Sequence, residues 1–119
     1  MFADTPEPPY TAVIFTSLRS DQGGEDYQQM AAVMEKLASE HDGFLGVESA
    51  RDDNGLGITV SYWSSHAAAG VFRRNGQHLV AQRLGRERWY SRYVLRICRV
   101  DHAREYADPA DGLTDGSSG

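Results

Sequence analysis

The stretch FLGVESARDDNGLGITVSYW, residues 44–63, reads as two short strands joined by a turn. Its middle, Arg51-Asp52-Asp53-Asn54-Gly55, is turn chemistry, and Asn-Gly is the strongest short hairpin signal. Phe44 to Ala50 forms the first strand of the pair, and Gly57 to Trp63 the second. In the second strand Ile58, Val60 and Tyr62 share one face, and Thr59, Ser61 and Trp63 share the other.

Upstream of this hairpin, Glu25 to about Ser39 carries Tyr27, Met30, Ala31, Met34, Leu37 and Ala38 at helical spacing. Glu25 and Asp26 suit the positive end of the helix dipole, and Gly43 is placed to end the turn after it. Earlier still, Tyr10 to Leu18 reads as a strand with apolar residues on both faces: Val13 and Phe15 on one, Ala12, Ile14 and Leu18 on the other. Downstream, Ser64 or Ser65 can cap a second helix. The pattern predicts that it runs to Arg74, breaks at Asn75-Gly76 and resumes from Gln77 to about Tyr90, with Ala68, Val71, Phe72, Val80, Ala81 and Leu84 as its apolar positions. Arg92 to Val100 completes the set as a strand, with Tyr93, Leu95 and Ile97 opposite Val94, Cys98 and Val100, and an extension toward Tyr106.

The order is β-α-β-β-α-β. With right-handed crossovers it closes into an α+β, ferredoxin-like, four-stranded antiparallel sheet with both helices on one face. The other face keeps apolar side chains that need cover. A second copy of the sheet is the economical cover, so the expected assembly is a homodimer.

The chain's 119 residues are one domain's worth. Residues 1–9, which hold three of the four prolines, read as a flexible arm; residues 10–106 as the folded domain; and residues 107–119, rich in Gly, Ser and Asp, as a disordered tail. The net charge of −5 argues against nucleic-acid and anionic-membrane partners. No window approaches the ~20 apolar residues of a membrane span. The single cysteine, Cys98, rules out an internal disulfide and a multi-cysteine zinc site, and it reads as a small buried residue. A cytoplasmic protein is the simplest expectation.

The run Tyr62-Trp63-Ser64-Ser65-His66-Ala67-Ala68, then Asn75-Gly76-Gln77-His78 through Gly85-Arg86, then Trp89-Tyr90, resembles antibiotic-biosynthesis-monooxygenase domains of the dimeric α/β-barrel superfamily. The resemblance covers roughly Tyr10 to Tyr106. It implies a pocket in each subunit between the helices and the sheet. The pocket residues it implies are Phe15, Thr59, Trp63, Phe72, His78, Gln82, Arg86 and Trp89. Some members of such families oxidise polycyclic aromatics with molecular oxygen and no metal or flavin; others degrade haem. The haem-degrading members carry a Trp on the second helix and an axial His ten residues later, where this chain has Phe72 and Gln82. The quinone-forming members place an Asn where this chain has Thr59.

His78 is the candidate base, proton shuttle or shifted haem ligand; its plainer reading is a structural or exposed helix histidine. No second ligand lies at metal spacing from it, so no metal is expected. Arg83, Arg86 and Arg88 could meet an enolate or carboxylate, or simply form a solvated helix face with Glu87. Trp63 either stacks on a substrate or packs between sheet and helix, and Trp89 and Tyr90 either wall the pocket or support the dimer. His41, His66 and His102 read as surface residues near element ends. The functional expectation is a cofactor-independent monooxygenase acting on an aromatic or enolisable small molecule. The alternatives are a non-catalytic small-molecule binding or sensing subunit and, with less support from the diagnostic positions, a haem-binding or haem-degrading protein.

Overall fold

The computed structural model describes residues 2–20, 24–82 and 90–109, and their side chains except those at 24–27, 30 and 77–82. Six elements follow one another: β1 (Tyr10–Arg19), α1 (Gly24–Glu40), β2 (Phe44–Arg51), β3 (Leu56–Trp63), α2 (His66–Gln82) and β4 (Tyr90–Val100). The strands form one sheet in the order β2-β3-β1-β4, and every neighbouring pair is antiparallel. Each crossover helix therefore steps over one strand, which is the ferredoxin-like arrangement expected from the element order.

Register fixes the two faces. Trp63 lies opposite Thr11, Ser61 opposite Val13, Thr59 opposite Phe15, and on the far side Leu95 pairs with Phe15 and Ile97 with Val13. These residues face the helices. Among the described residues, the fully buried core sits at one end of that face. Ala38 of α1 and Ala69 of α2 close on Trp63, with Val13, Phe44, Ala68 and Phe72 around them. Small residues let the chain approach closely here. At Gly43, φ is +88°, and a side chain would meet Ala68 and Ser64. The Oγ of Ser65 accepts a hydrogen bond from the Ala68 amide at 3.0 Å and caps α2 as expected.

The sequence reading needs correction at several points. The break expected at Asn75-Gly76 is absent, because α2 runs through it unbroken. Gly76 is buried there, and a Cβ would come within 2.6 Å of the Met34 methyl; its role is to let α1 cross close to α2. Tyr90 opens β4 instead of ending the helix, and β4 stops at Val100 with no strand toward Tyr106. Val71, read as an inward position, is 43% exposed, and Ala31 is exposed too. The inner stripe of α2 is instead Ala69, Phe72, Arg73 and Gly76.

Among the described residues, no helix lies on the opposite face of the sheet. Ile14, Val60 and Val94 are half-buried there, while Leu18, Leu56 and Ile58 stand exposed. Cys98, expected to be buried, is exposed on this same face, which no described helix covers. One end of the face is covered by the arm expected to be flexible. The Ala3 amide donates to Glu48 Oε2 at 2.9 Å, and Thr5 Oγ1 lies 3.1 Å from the Tyr10 hydroxyl. Two irregularities mark the sheet: a register shift in β2 between Phe44 and Gly46, and one between Leu18 and Arg19 where β1 meets β4.

Candidate functional site

The helix-facing floor divides into two halves. In the first, Trp63 is fully buried. Its ring stacks on Phe72 with centroids 4.9 Å apart and meets Phe44 edge-on at 5.4 Å. Its indole N–H donates to Ser61 Oγ at 2.9 Å. Trp63 thus takes the second of its two readings, packing between sheet and helices, and Phe72, implied on the pocket wall, lies half-buried against it.

The second half is more open. Phe15, half-buried, packs at 5.3 Å and 5.4 Å from the rings of Tyr90 and Tyr93. Leu95 and Ile97 remain 37% exposed although they face the helices. Beside this apolar strip runs a hydroxyl pair: Ser49 Oγ and Thr59 Oγ1 are 3.1 Å apart. One hydroxyl proton is used between the two oxygens, so the other is free to donate to a third group. The structure therefore brings Phe15 and Thr59 together as expected. Ser17 closes this end, fully buried, with its Oγ accepting a hydrogen bond from Arg51 Nη2 at 2.7 Å.

Arg86 and Trp89 lie outside the described residues, as do Arg83, Glu87 and Arg88. His78 and Gln82 lie on α2, but their side chains are outside the described set.

Two histidines read as surface groups turn out to be held. His41 is half-buried, with its ring edge-on to Phe72 at 5.5 Å and to Trp63 at 6.5 Å. Its Nδ1 lies 3.0 Å from the Leu37 carbonyl, which can only accept, so Nδ1 carries the proton. Nε2 then accepts from Asn75 Nδ2 at 3.0 Å. The signal was in the sequence: a histidine four residues after Leu37, at a helix end, can reach back to that carbonyl. His66 is exposed but bonds the buried Thr11 hydroxyl at 2.7 Å. His102 is exposed as expected. Near His66, an open depression of about 180 Å³ is lined by Pro9, Tyr10, Thr11, Ser64, Ser65, His66 and Arg99. It lies at the core end of the sheet, away from the apolar strip.

On the bare face, Glu48 accepts from the Tyr62 hydroxyl at 2.7 Å as well as from the Ala3 amide. These two donors hold its carboxyl below the ordinary carboxylate value. Tyr62 is pushed up to about 12, first by burial and then by the neighbouring carboxylate. A depressed carboxyl stabilises the fold above its unfolded pKa, and that contribution is lost as pH falls through the lower folded value. The arm is therefore expected to detach in acid, below the ordinary 4.5. An NMR titration following the Ala3 amide should show it shifting with the Glu48 carboxyl, and a shift independent of that carboxyl would contradict the contact.

No family model matches the chain. Solved structures of the same fold include a protein from Shewanella oneidensis, with a TM-score of 0.66, 10% identity and coverage of 84% of this chain and all of that one. The cofactor-independent oxygenase SnoaB from Streptomyces nogalater matches with a TM-score of 0.58 and 13% identity, over 82% of this chain and 95% of that one. A dimeric ferredoxin-like protein of unknown function from Thermobifida fusca matches with a TM-score of 0.60 and 10% identity, over 84% of this chain and all of that one. At such identities the likeness is one of fold. In sequence, the chain is 45% identical over 104 residues to the uncharacterized protein YqjZ of Bacillus subtilis (strain 168), which spans 87% of this chain and 90% of that protein. Identity at that level along nearly the whole of both chains means that this protein belongs to the family of YqjZ.

Proposed function

We propose that the chain is one subunit of a homodimer that oxidises an aromatic or enolisable small molecule with molecular oxygen, without a cofactor. The observation that carries this reading is the half-open floor. There an aromatic and aliphatic strip, Phe15, Tyr93, Leu95 and Ile97, adjoins the Ser49–Thr59 hydroxyl pair. Such a floor suits a flat, apolar substrate held at one oxygen. The likeness in fold to a cofactor-independent oxygenase supports the same reading.

The chemistry asks little of the protein. A substrate methylene flanked by electron-withdrawing or phenolic groups loses a proton, and the carbanion passes an electron to molecular oxygen. Recombination of the two radicals forms a carbon–oxygen bond and gives a peroxide. The peroxide then loses water as its oxygen–oxygen bond breaks. In sum, one methylene and one molecule of oxygen give one carbonyl and one water. The subunit would exclude water, hold the ring flat on the strip and donate the free hydroxyl proton of the Ser49–Thr59 pair toward the developing enolate oxygen. His78 remains the candidate proton acceptor.

The floor residues Phe15, Thr59, Tyr93, Leu95 and Ile97 include no carboxylate, histidine or lysine, and this favours a second reading, a binding or sensing subunit that uses the same floor. Oxygen-electrode assays with anthrones and hydroquinones separate the two. Consumption of one oxygen molecule per anthrone is expected, with Thr59→Val lowering the rate about tenfold, as for loss of one hydrogen bond to a charged oxygen. Ligand binding without oxygen uptake would leave the sensing reading, and a Soret band on titration with haemin would replace both with a haem protein.

A further inference from the structure

Arg73 is a charged residue in the middle of α2. The structure places it on the inner stripe of α2, four residues after the fully buried Ala69 and three before the buried Gly76. It is half-buried, and its Nε is shielded from solvent without a hydrogen-bond partner among the described residues. An arginine cannot shed its charge to relieve this. A shielded N–H of a charged group with no acceptor is costly, and an oxyanion is the acceptor that suits a guanidinium best.

Helix geometry says where that acceptor would sit. Phe72 faces α1, since it touches both His41 and Trp63. The next residue is turned about 100° further round the helix. Arg73 therefore leans to the other flank, over β1 and β4, where Leu95 and Ile97 keep more than a third of their surface open. The floor below it, Val13, Phe15, Leu95 and Ile97, is wholly uncharged. Arg99, on the same face further along β4, is already paired with Asp101 at 2.6 Å.

We infer that Arg73 is an anion-recognition residue of this site, and that the ligand joins an aromatic body to an acidic oxygen group, either a carboxylate or an ionised phenol or enol. This rests on the floor being a ligand site, as proposed above, and it narrows the substrate class to anionic aromatics. The planar guanidinium would take the oxygen group, and the strip from Phe15 to Ile97 would take the ring.

The test uses two fluorescent probes with the same aromatic body, 8-anilinonaphthalene-1-sulfonate, which carries an oxyanion, and N-phenyl-1-naphthylamine, which is uncharged. The full chain should bind the sulfonate about tenfold more tightly than the neutral probe, the size of one charge-assisted contact. Arg73→Gln should abolish that preference and leave the neutral probe's affinity unchanged. Arg73→Lys, which keeps the charge, should retain part of it. Arg73→Gln removes a shielded, unpartnered Nε–H, so its melting temperature should fall little. Equal sulfonate affinity in wild type and Arg73→Gln, or no sulfonate binding by wild type, would overturn the inference. So would parallel loss of both probes in both variants, which would mean a packing role. The readout is equilibrium binding. A chain that consumes no oxygen can still pass this test, and an active oxygenase can still fail it.

Discussion

Trp63→Ala is expected to cost about 3–5 kcal/mol, the range for truncating a large buried aromatic. The reason is that Trp63 is the largest fully buried side chain among the described residues. Trp63 touches Phe44, Phe72 and the edge of His41, and it is the residue on which both helices converge through Ala38 and Ala69. The variant leaves a void where the two helices meet the sheet. It also strands the Ser61 hydroxyl, which now accepts the indole proton. Against a typical total of about 5–15 kcal/mol, the loss is a large share of the stability. For a chain of this size the melting midpoint should fall by roughly 10–25 °C. Circular-dichroism melts of wild type, Trp63→Ala and Trp63→Phe would measure it. Trp63→Phe should retain most of the stacking and lose much less. A fall of only a few degrees in Trp63→Ala would show that the helices are held by something other than this residue.

Ile58→Glu addresses the proposed homodimer. Ile58 lies on the bare face opposite Thr16 and Ala50, and it is 47% exposed in the single subunit. The charge layout favours another copy as the occupant. Glu48 lies toward the β2 edge and Arg92 and Arg96 toward the β4 edge, so a two-fold axis parallel to the strands sets acid over base on both sides. A glutamate at position 58 would bury two carboxylates at the centre of such a contact, at several kcal/mol each. Dissociation should rise by about a thousandfold or more. Sedimentation velocity at micromolar concentration should give paired wild type and single Ile58→Glu subunits with unchanged circular dichroism. Wild type sedimenting as a single subunit would remove the dimer from the proposal.

The strands were legible in the sequence because their alternation is local. Ile58, Val60 and Tyr62 against Thr59, Ser61 and Trp63 needed no tertiary information, and the observed register keeps both sets. The second helix was harder. Asn75-Gly76 carries the local signature of a break, but the packing of Met34 against Gly76 outweighs it. Reading Val71 as inward moves the apolar stripe by part of a turn and hides Arg73 as a consequence. Strand parity alone puts Phe15 and Thr59 on the helix-facing side, where they lie opposite one another, while their place in a pocket came from the resemblance. The burial of Trp63 depends on how α1 and α2 converge, and single-strand patterns carry no trace of that, whereas the back-bond of His41 to Leu37 is local to the end of α1 and within reach of the sequence.

The two outer strands have a bearing on how copies can meet at all. β4 presents Arg92 and Arg96 along its length, and β2 is irregular where its register slips between Phe44 and Gly46. Like charges on one rim and a distorted backbone on the other discourage backbone-to-backbone zippering, the route by which open sheets grow into fibrils. Growth along the hydrogen-bonding direction is thereby blocked. What remains is contact through the flat side, which a single neighbour uses up.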